Sequence, residues 1–369
     1  VQHPCPWTRR RLIARGALAA AAGLAKPGAA ARGEFRRGGM IYRPLGKTGM
    51  YVSLLAFGSH TDPAYKRQAD FGNVLTEEGQ ARRDRLLEKA FDLGVNLVDV
   101  YENEGQWEPL ARLVKSRRDK VLVSTVNNHP EFIGKNIDRA ARLFGHVDLY
   151  RTVCLVDAPD RRLLENWDVL RKAKQAGKVR AIGVASHTER QMMVALGELD
   201  GLDYLFFPYN FIHAGADYSE FLPQAIERGL GLIAIKPLAA GSIANLDPRA
   251  RRPAPPENPN FELYQSANRG ILPAVVAELT KNLDRMGDET LCQAALRYVY
   301  SRPYLSCAIP GMFDEVYLED NYAALGRYHE LSREASAALG SARKLARALG
   351  RRWLRPAYSW LEEEWYGHL

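Results

Sequence analysis

Residues 82–101 read RRDRLLEKAFDLGVNLVDVY. Leu86, Leu87, Ala90, Phe91 and Leu93 fall on one side of a helical repeat, which predicts an amphipathic helix with Gly94 as its C-terminal stop. VNLVDVY follows directly and is nearly continuous in its apolarity, the pattern of a strand covered on both faces. A helix laid on such a strand is the unit of a parallel α/β fold.

The unit recurs along the chain. Apolar runs at 52–59 (VSLLAFGS), 95–101, 121–127 (VLVSTVN), 147–156 (VDLYRTVCLV), 180–186 (RAIGVAS without its first residue's charge), 204–210 (YLFFPYN), 230–237 (LGLIAIKP) and 305–311 (LSCAIPG) alternate with longer amphipathic stretches. Eight such runs predict a closed (β/α)8 TIM barrel over residues 40–330. An open doubly wound sheet is the rival, but its first turn carries a GxGxxG fingerprint, and FGSHTDPAY (57–65) has none. In a barrel, functional residues belong at the C-terminal ends of the strands.

Two segments lie outside the plain repeat. Asn245 to Gly270, containing DPRARRPAPPENPNF, is long enough to be a lid or binding loop. From 331 to 369 a basic amphipathic helical pattern leads into an aromatic-rich end with Trp353, Trp360 and Trp365. This C-terminal helical extension is expected to pack on the barrel; a partner contact or a membrane surface is the alternative.

The first 31 residues read as an address. Thr8 to Ala14 (TRRRLIA) is similar to a twin-arginine export motif, an Ala/Gly/Leu run follows, and GAAARGEF offers a cleavage site ending at Ala31. The expectation is export to the periplasm by that route. This segment carries Arg9, Arg10, Arg11, Arg15 and Lys26 and no acid, so the formal charge of +8 falls to +3 without it. That remaining charge is scattered, which argues against a nucleic-acid partner. With 46% hydrophobic and 25% charged residues and no apolar run long enough to span a bilayer, the composition is that of an ordinary globular protein. Cys5 lies in the address; Cys154, Cys292 and Cys307 sit in or beside apolar runs and read as buried thiols.

The order of pieces over Met40 to Leu325 resembles the aldo-keto reductases. YRPLGKTGMYVSLLAFG, AFDLGVNLVD, QAGKVRAIGVAS, FPYN, and AIPG with EDNYAAL carry the likeness jointly. The resemblance implies nicotinamide-dependent interconversion of carbonyls and alcohols, with NADP or NAD as cofactor and a small carbonyl or sugar-like substrate. It also implies an Asp, a Tyr, a Lys and a His, the Tyr donating a proton to the carbonyl oxygen. The Asp is Asp99. The Tyr position holds Glu104 before Gly105, and the Lys position holds Val126. The His position falls on Val153, or on Asp157 if VDAPD matches the family's His-x-Pro-Asp.

Neighbours suggest a repaired relay. Tyr101 lies two residues after Asp99, hence on the same face of a strand, and is the expected substitute acid. Lys236 offers a positive charge from another strand, Glu104 could act as the acid if burial raises its pKa, and Asp157 is a catalytic candidate through its alignment with the family's His. For the cofactor, the resemblance implies contacts from Ser186, His187, Lys236, Pro237, Leu238, Gly241, Gly311 and Asn321. The family's Asn, Gln and stacking Tyr are replaced by His187, Phe206 and Ile235. MFDEVYLEDN after Gly311 lacks the basic residue that pairs a 2′-phosphate, so neither nucleotide is preferred.

Two other classes remain open. A metal-dependent hydrolase or isomerase would use His60, Asp62, Asp99, His129, Asp157 and His187; the spacing is loose, and no metal site is expected. A non-catalytic binding protein would keep the barrel and its pocket without turnover.

Overall fold

A computed structural model describes residues 33–67, 74–102, 105–156, 158–211, 220–238 and 287–327, with 243, 281, 283, 285, 332–334, 337, 338 and 341. The expected address, the 245–270 connection and nearly all of the C-terminal extension lie outside the described residues.

Seven parallel strands form one sheet: β4 (Leu97–Asp99), β5 (Leu122–Val126), β6 (Val147–Val153), β7 (Val179–Ala185), β8 (Tyr204–Pro208), β9 (Gly231–Ile235) and β10 (Cys307–Ile309), neighbours in that order. Residues 55–57 close it. Leu55 bridges Ala308 of β10 and Phe57 bridges Val98 of β4, both in parallel. Phe57 N–H donates to the Leu97 carbonyl at 2.9 Å, and Ala56 N–H donates to the Ala308 carbonyl at 3.0 Å. The eighth position is thereby filled, and the parallel sheet curls into a (β/α)8 barrel with its two edges joined.

The expected strand at 52–59 proves to be two pieces. β3 (Tyr51–Ser53) pairs antiparallel with β2 (Met40–Pro44), which also pairs with β1 (Phe35–Arg37). Only the residues after the break enter the barrel. The break has a local cause: Ser53 Oγ donates to the Leu55 carbonyl at 2.7 Å, and Ser53 N–H donates to the side chain of Asn96. Side chains thus take backbone partners that a continuous ladder would have used.

The small sheet plugs the N-terminal end of the barrel. Leu45, Met50 and Val52 join the interior cluster with Leu97, Leu149, Tyr204, Ile233 and Cys307, and Lys47 N–H donates to the Gly229 carbonyl at 3.0 Å. Buried Arg43 donates to the carbonyls of Tyr300, Arg302 and Leu305, tying β2 to the turn before β10. With this end shut, the C-terminal end is where a ligand can enter.

Helices α1 (Glu77–Asp92), α2 (Trp107–Val114), α3 (Pro130–Phe144), α4 (Arg161–Gln175), α5 (Glu189–Glu198), α6 (Phe221–Glu227), α7 (Leu291–Tyr300) and α8 (Glu315–Gly326) supply the outer layer. Local chemistry sets their ends: α1 starts on Thr76, whose side chain accepts from Gly79 N–H, and Thr290 and Gln293 form a reciprocal capping box on α7. After α1, Gly94 adopts φ +94°, as expected of the C-terminal stop. Leu86, Leu87 and Ala90 pack in the layer between helices and sheet.

Gly183 of β7 controls the barrel's interior volume. It lies opposite Arg151 on one neighbouring strand and Tyr204 on the other, and a Cβ there would fall 2.6 Å from the Tyr204 ring and carbonyl. Gly183→Ala is expected to cost about 1–3 kcal/mol, the usual penalty for overpacking a core. Urea unfolding measures it; an unchanged midpoint would show that Tyr204 has room to move.

Candidate active site

The alternation of β4 sends Leu97 into the barrel interior and Val98 to the outer layer. Asp99 follows inward, where it meets Arg151 of β6. The contact is bidentate: Nη1 to Oδ1 at 2.6 Å and Nη2 to Oδ2 at 2.9 Å. Ser124 Oγ donates to Asp99 Oδ1 at 2.7 Å, and Arg151 also donates to the Thr125 carbonyl at 3.3 Å. Asp99 is 3% exposed and Arg151 2%, so the pair sits inside the barrel rather than in solvent.

The guanidinium is stacked as well as bonded. Its carbon lies 4.1 Å from the centre of the Phe206 ring and 5.6 Å from that of Tyr101. Burial by itself would lower its pKa, but Asp99 and Tyr101 act the other way and the net displacement is upward. Arg151 therefore stays charged at any ordinary pH. Near the pair, burial and the charge of Asp99 push the Cys307 thiol up, which keeps it from acting as a thiolate.

Tyr101 is partly buried above the pair. Its N–H donates to Ser59 Oγ at 2.8 Å, and its ring meets His60 edge-on with centroids 6.0 Å apart. Arg83 of α1 holds this loop through the carbonyls of Gly58, Ser59 and His60.

A second polar group forms across β7 and β9. Lys236 Nζ lies 2.9 Å from His187 Nε2. Lys236 has φ +54°, the one positive φ outside glycine among the described residues, and Asn210 Nδ2 donates to its carbonyl at 3.1 Å. Burial lowers the Lys236 pKa well below its ordinary value. Beside them, Ser186 Oγ donates to Gln191 Oε1 at 2.8 Å.

The sequence-predicted residues separate accordingly. Asp99 and Tyr101 each lie against Arg151 rather than against the expected Lys236, which is engaged with His187. Leu238 is buried in the outer core, Pro237 is buried and Gly311 exposed. Asn321, fully buried, donates to the Gly311 carbonyl at 3.4 Å. Glu104, Asp157 and Gly241 lie outside the described residues. Among the described residues, no three His, Cys, Asp or Glu side chains gather as metal ligands. His129 contacts Arg162 on an exposed surface, and Asp62 accepts from Ala64 N–H.

Arg151 is the site residue that sequence reading missed. Its signal was present: in VDLYRTV, a charged residue sits at a position of β6 whose period-two neighbours, Leu149 and Val153, face the interior. A charge placed there needs a buried counter-charge.

A closed parallel barrel, plugged at one end and carrying an acid, a phenol and cations toward the C-terminal ends of its strands, defines a (β/α)8 protein with its polar groups at the end where such barrels place their functional sites. More particularly, the chain belongs to the aldo/keto reductase family, whose model matches residues 70–344. It is 26% identical over 324 residues to L-glyceraldehyde 3-phosphate reductase of Escherichia coli O157:H7, covering 79% of this chain and 89% of that one. It is 25% identical to L-galactose dehydrogenase of Arabidopsis thaliana, with 78% and 89% covered. A probable voltage-gated potassium channel subunit beta of Arabidopsis thaliana is 28% identical, with 78% and 91% covered. Among solved structures, the apo form of an aldo-keto reductase from Bacillus halodurans superposes with a TM-score of 0.60 at 19% identity, covering 82% of this chain and 95% of that one, a likeness of fold.

Removing one partner of a buried pair strands the other charge. Arg151→Met is expected to destabilise the protein by about 3–5 kcal/mol, and combining it with Asp99→Leu to recover part of that loss. Unfolding midpoints of the single and double variants test this. Additive losses would mean that the two charges do not depend on each other.

Proposed function

We propose that this chain interconverts small carbonyl compounds and alcohols with a nicotinamide cofactor, using Tyr101 as the proton donor in place of the residue at position 104. The observation that carries the reading is the Arg151 guanidinium, held in both directions by Asp99 and set against the Tyr101 ring. When Tyr101 gives its hydroxyl proton to a carbonyl oxygen, negative charge is left on the phenol. Arg151 is the nearby fixed positive charge, and the two groups interact electrostatically. Asp99 keeps the guanidinium from turning away. The task assigned to the family's lysine at position 126 is thereby taken by an arginine from the next strand.

Members of the family typically use NADP(H) or NAD(H), and the donor set here suits the nicotinamide end. Ser186 directs its proton to Gln191, which leaves its oxygen lone pairs for a carboxamide N–H. Ile235, partly buried at the end of β9, offers an apolar face where the family stacks an aromatic ring. Bound there, the cofactor would supply or accept hydride. At the other end, α8 begins with Asp314 as its cap, accepting from Tyr317 N–H, and with Glu315 in its first turn. Carboxylates at this helix terminus disfavour a 2′-phosphate, so NAD is the better match.

The relatives named for glyceraldehyde 3-phosphate and galactose support a hydroxylated, sugar-like carbonyl as substrate. TRRRLIA supports export by the twin-arginine route, with the cofactor loaded before the folded protein leaves. A non-catalytic binding role is the second reading, and the apolar Val126 and Val153 at the family's lysine and histidine positions favour it.

Tyr101→Phe is expected to lower kcat by about 10²–10⁴-fold, the usual contribution of a general acid, with KM little changed. Equal turnover in the variant would remove Tyr101 from the mechanism. Fluorescence titration should show saturable binding, tighter for NADH than for NADPH. The reverse order would overturn the cofactor assignment, and binding without turnover of any carbonyl would select the second reading.

A further inference from the structure

The pair formed by Lys236 and His187 is more than a place for a cofactor to rest. Lys236 terminates β9 and His187 follows β7, both at the end of the barrel where ligands enter. The lysine's backbone is held in a left-handed conformation that a side-chain-bearing residue adopts only when its surroundings impose it. Asn210 bonds the carbonyl of that same residue. The result is an ε-amino group delivered to one imidazole nitrogen at 2.9 Å. His187 is buried, and Lys236 is partly exposed as a residue while its amino group is withdrawn from solvent beside the imidazole.

We propose that Lys236 is an imine-forming lysine that condenses reversibly with small aldehydes or ketones, with His187 as its proton carrier. The imidazole takes a proton from the ammonium, leaving a neutral amine. The amine lone pair attacks the carbonyl carbon, forming the C–N bond of a carbinolamine. One N–H proton passes to the former carbonyl oxygen, His187 returns its proton to the resulting hydroxyl, the C–O bond breaks and one water leaves, giving the protonated imine. No oxidant, reductant or nucleotide is consumed. Burial already weakens the hold of Lys236 on its proton, which is the usual way a lysine is made nucleophilic near neutrality.

This site does not depend on the reductase reading, because condensation needs no cofactor. It gives the barrel a covalent means of holding a carbonyl compound at its mouth. The hydroxylated carbonyls suggested by the relatives are of the right chemical class for a first probe.

The test is reductive trapping of the nucleotide-free protein with glyceraldehyde and cyanoborohydride at neutral pH, followed by peptide mass mapping. Exposed lysines have pKa values of about 10.4 and are almost wholly protonated there, so the expected result is an adduct on Lys236 ahead of every other lysine. Lys236→Arg should abolish that adduct while keeping length and charge. His187→Gln should slow its formation on the order of a hundredfold, because proton transfer is lost while a hydrogen-bonding group remains. Lys236 labelled no faster than other lysines would overturn the proposal, as would trapping unaffected by His187→Gln. If Lys236→Arg fails to fold, the order of labelling in the unaltered protein decides alone. Failure of trapping with intact NADH binding would leave the reductase reading standing, and the converse would separate the two equally well.

Discussion

A carboxylate and a guanidinium inside the barrel set the terms for the residues around them. Each ion pays a desolvation cost of several kcal/mol on leaving water. That cost is offset here because the Asp99–Arg151 contact is bidentate and because Ser124 and the Thr125 carbonyl take up further hydrogen-bonding capacity. Space for the arginine is made by its neighbours: Gly183 stands beside it without a side chain, and Phe206 offers a ring face to the guanidinium. The ion pair, the glycine and the aromatic ring are consequences of one another.

The two ends of the barrel divide the labour. The N-terminal hairpin closes one mouth with Leu45, Met50 and Val52, while Arg43 ties that plug to the chain before β10. Such closure leaves chemistry to the other end. There the polar groups fall into two sets, Asp99, Arg151 and Tyr101 on one side and His187 with Lys236 on the other. In the first set a carboxylate and a guanidinium are paired through two hydrogen bonds; in the second an amino group and an imidazole nitrogen lie 2.9 Å apart.

Much of the fold was legible in local pattern. Continuous apolarity marked strands covered on both faces, and Gly94 marked the end of α1 with the backbone conformation that the reading required. The run at 52–59 was misleading because apolarity reports burial, and both the plug and the barrel bury their residues. What separates them is the hydrogen bonding of Ser53 with Leu55 and Asn96, which a hydrophobic pattern does not encode. Period-two spacing relates Asp99 to Tyr101 and marks Arg151 as an inward charge of β6, yet it does not say that these three come together across two strands.

By itself, the sequence determined the α/β class, the eight repeated units, the family frame and the position of Asp99, because each follows from patterns spanning a few residues or from the order of short motifs. Tertiary structure alone decided which cation serves which partner. Arg151 lies within β6 and Lys236 directly after β9, and the apolar flanks mark each as a charge in need of a partner without saying which partner. Barrel closure, register and strand twist place one guanidinium against Asp99 and one amine against His187, since contacts between residues 52 and 49 positions apart are properties of the folded sheet.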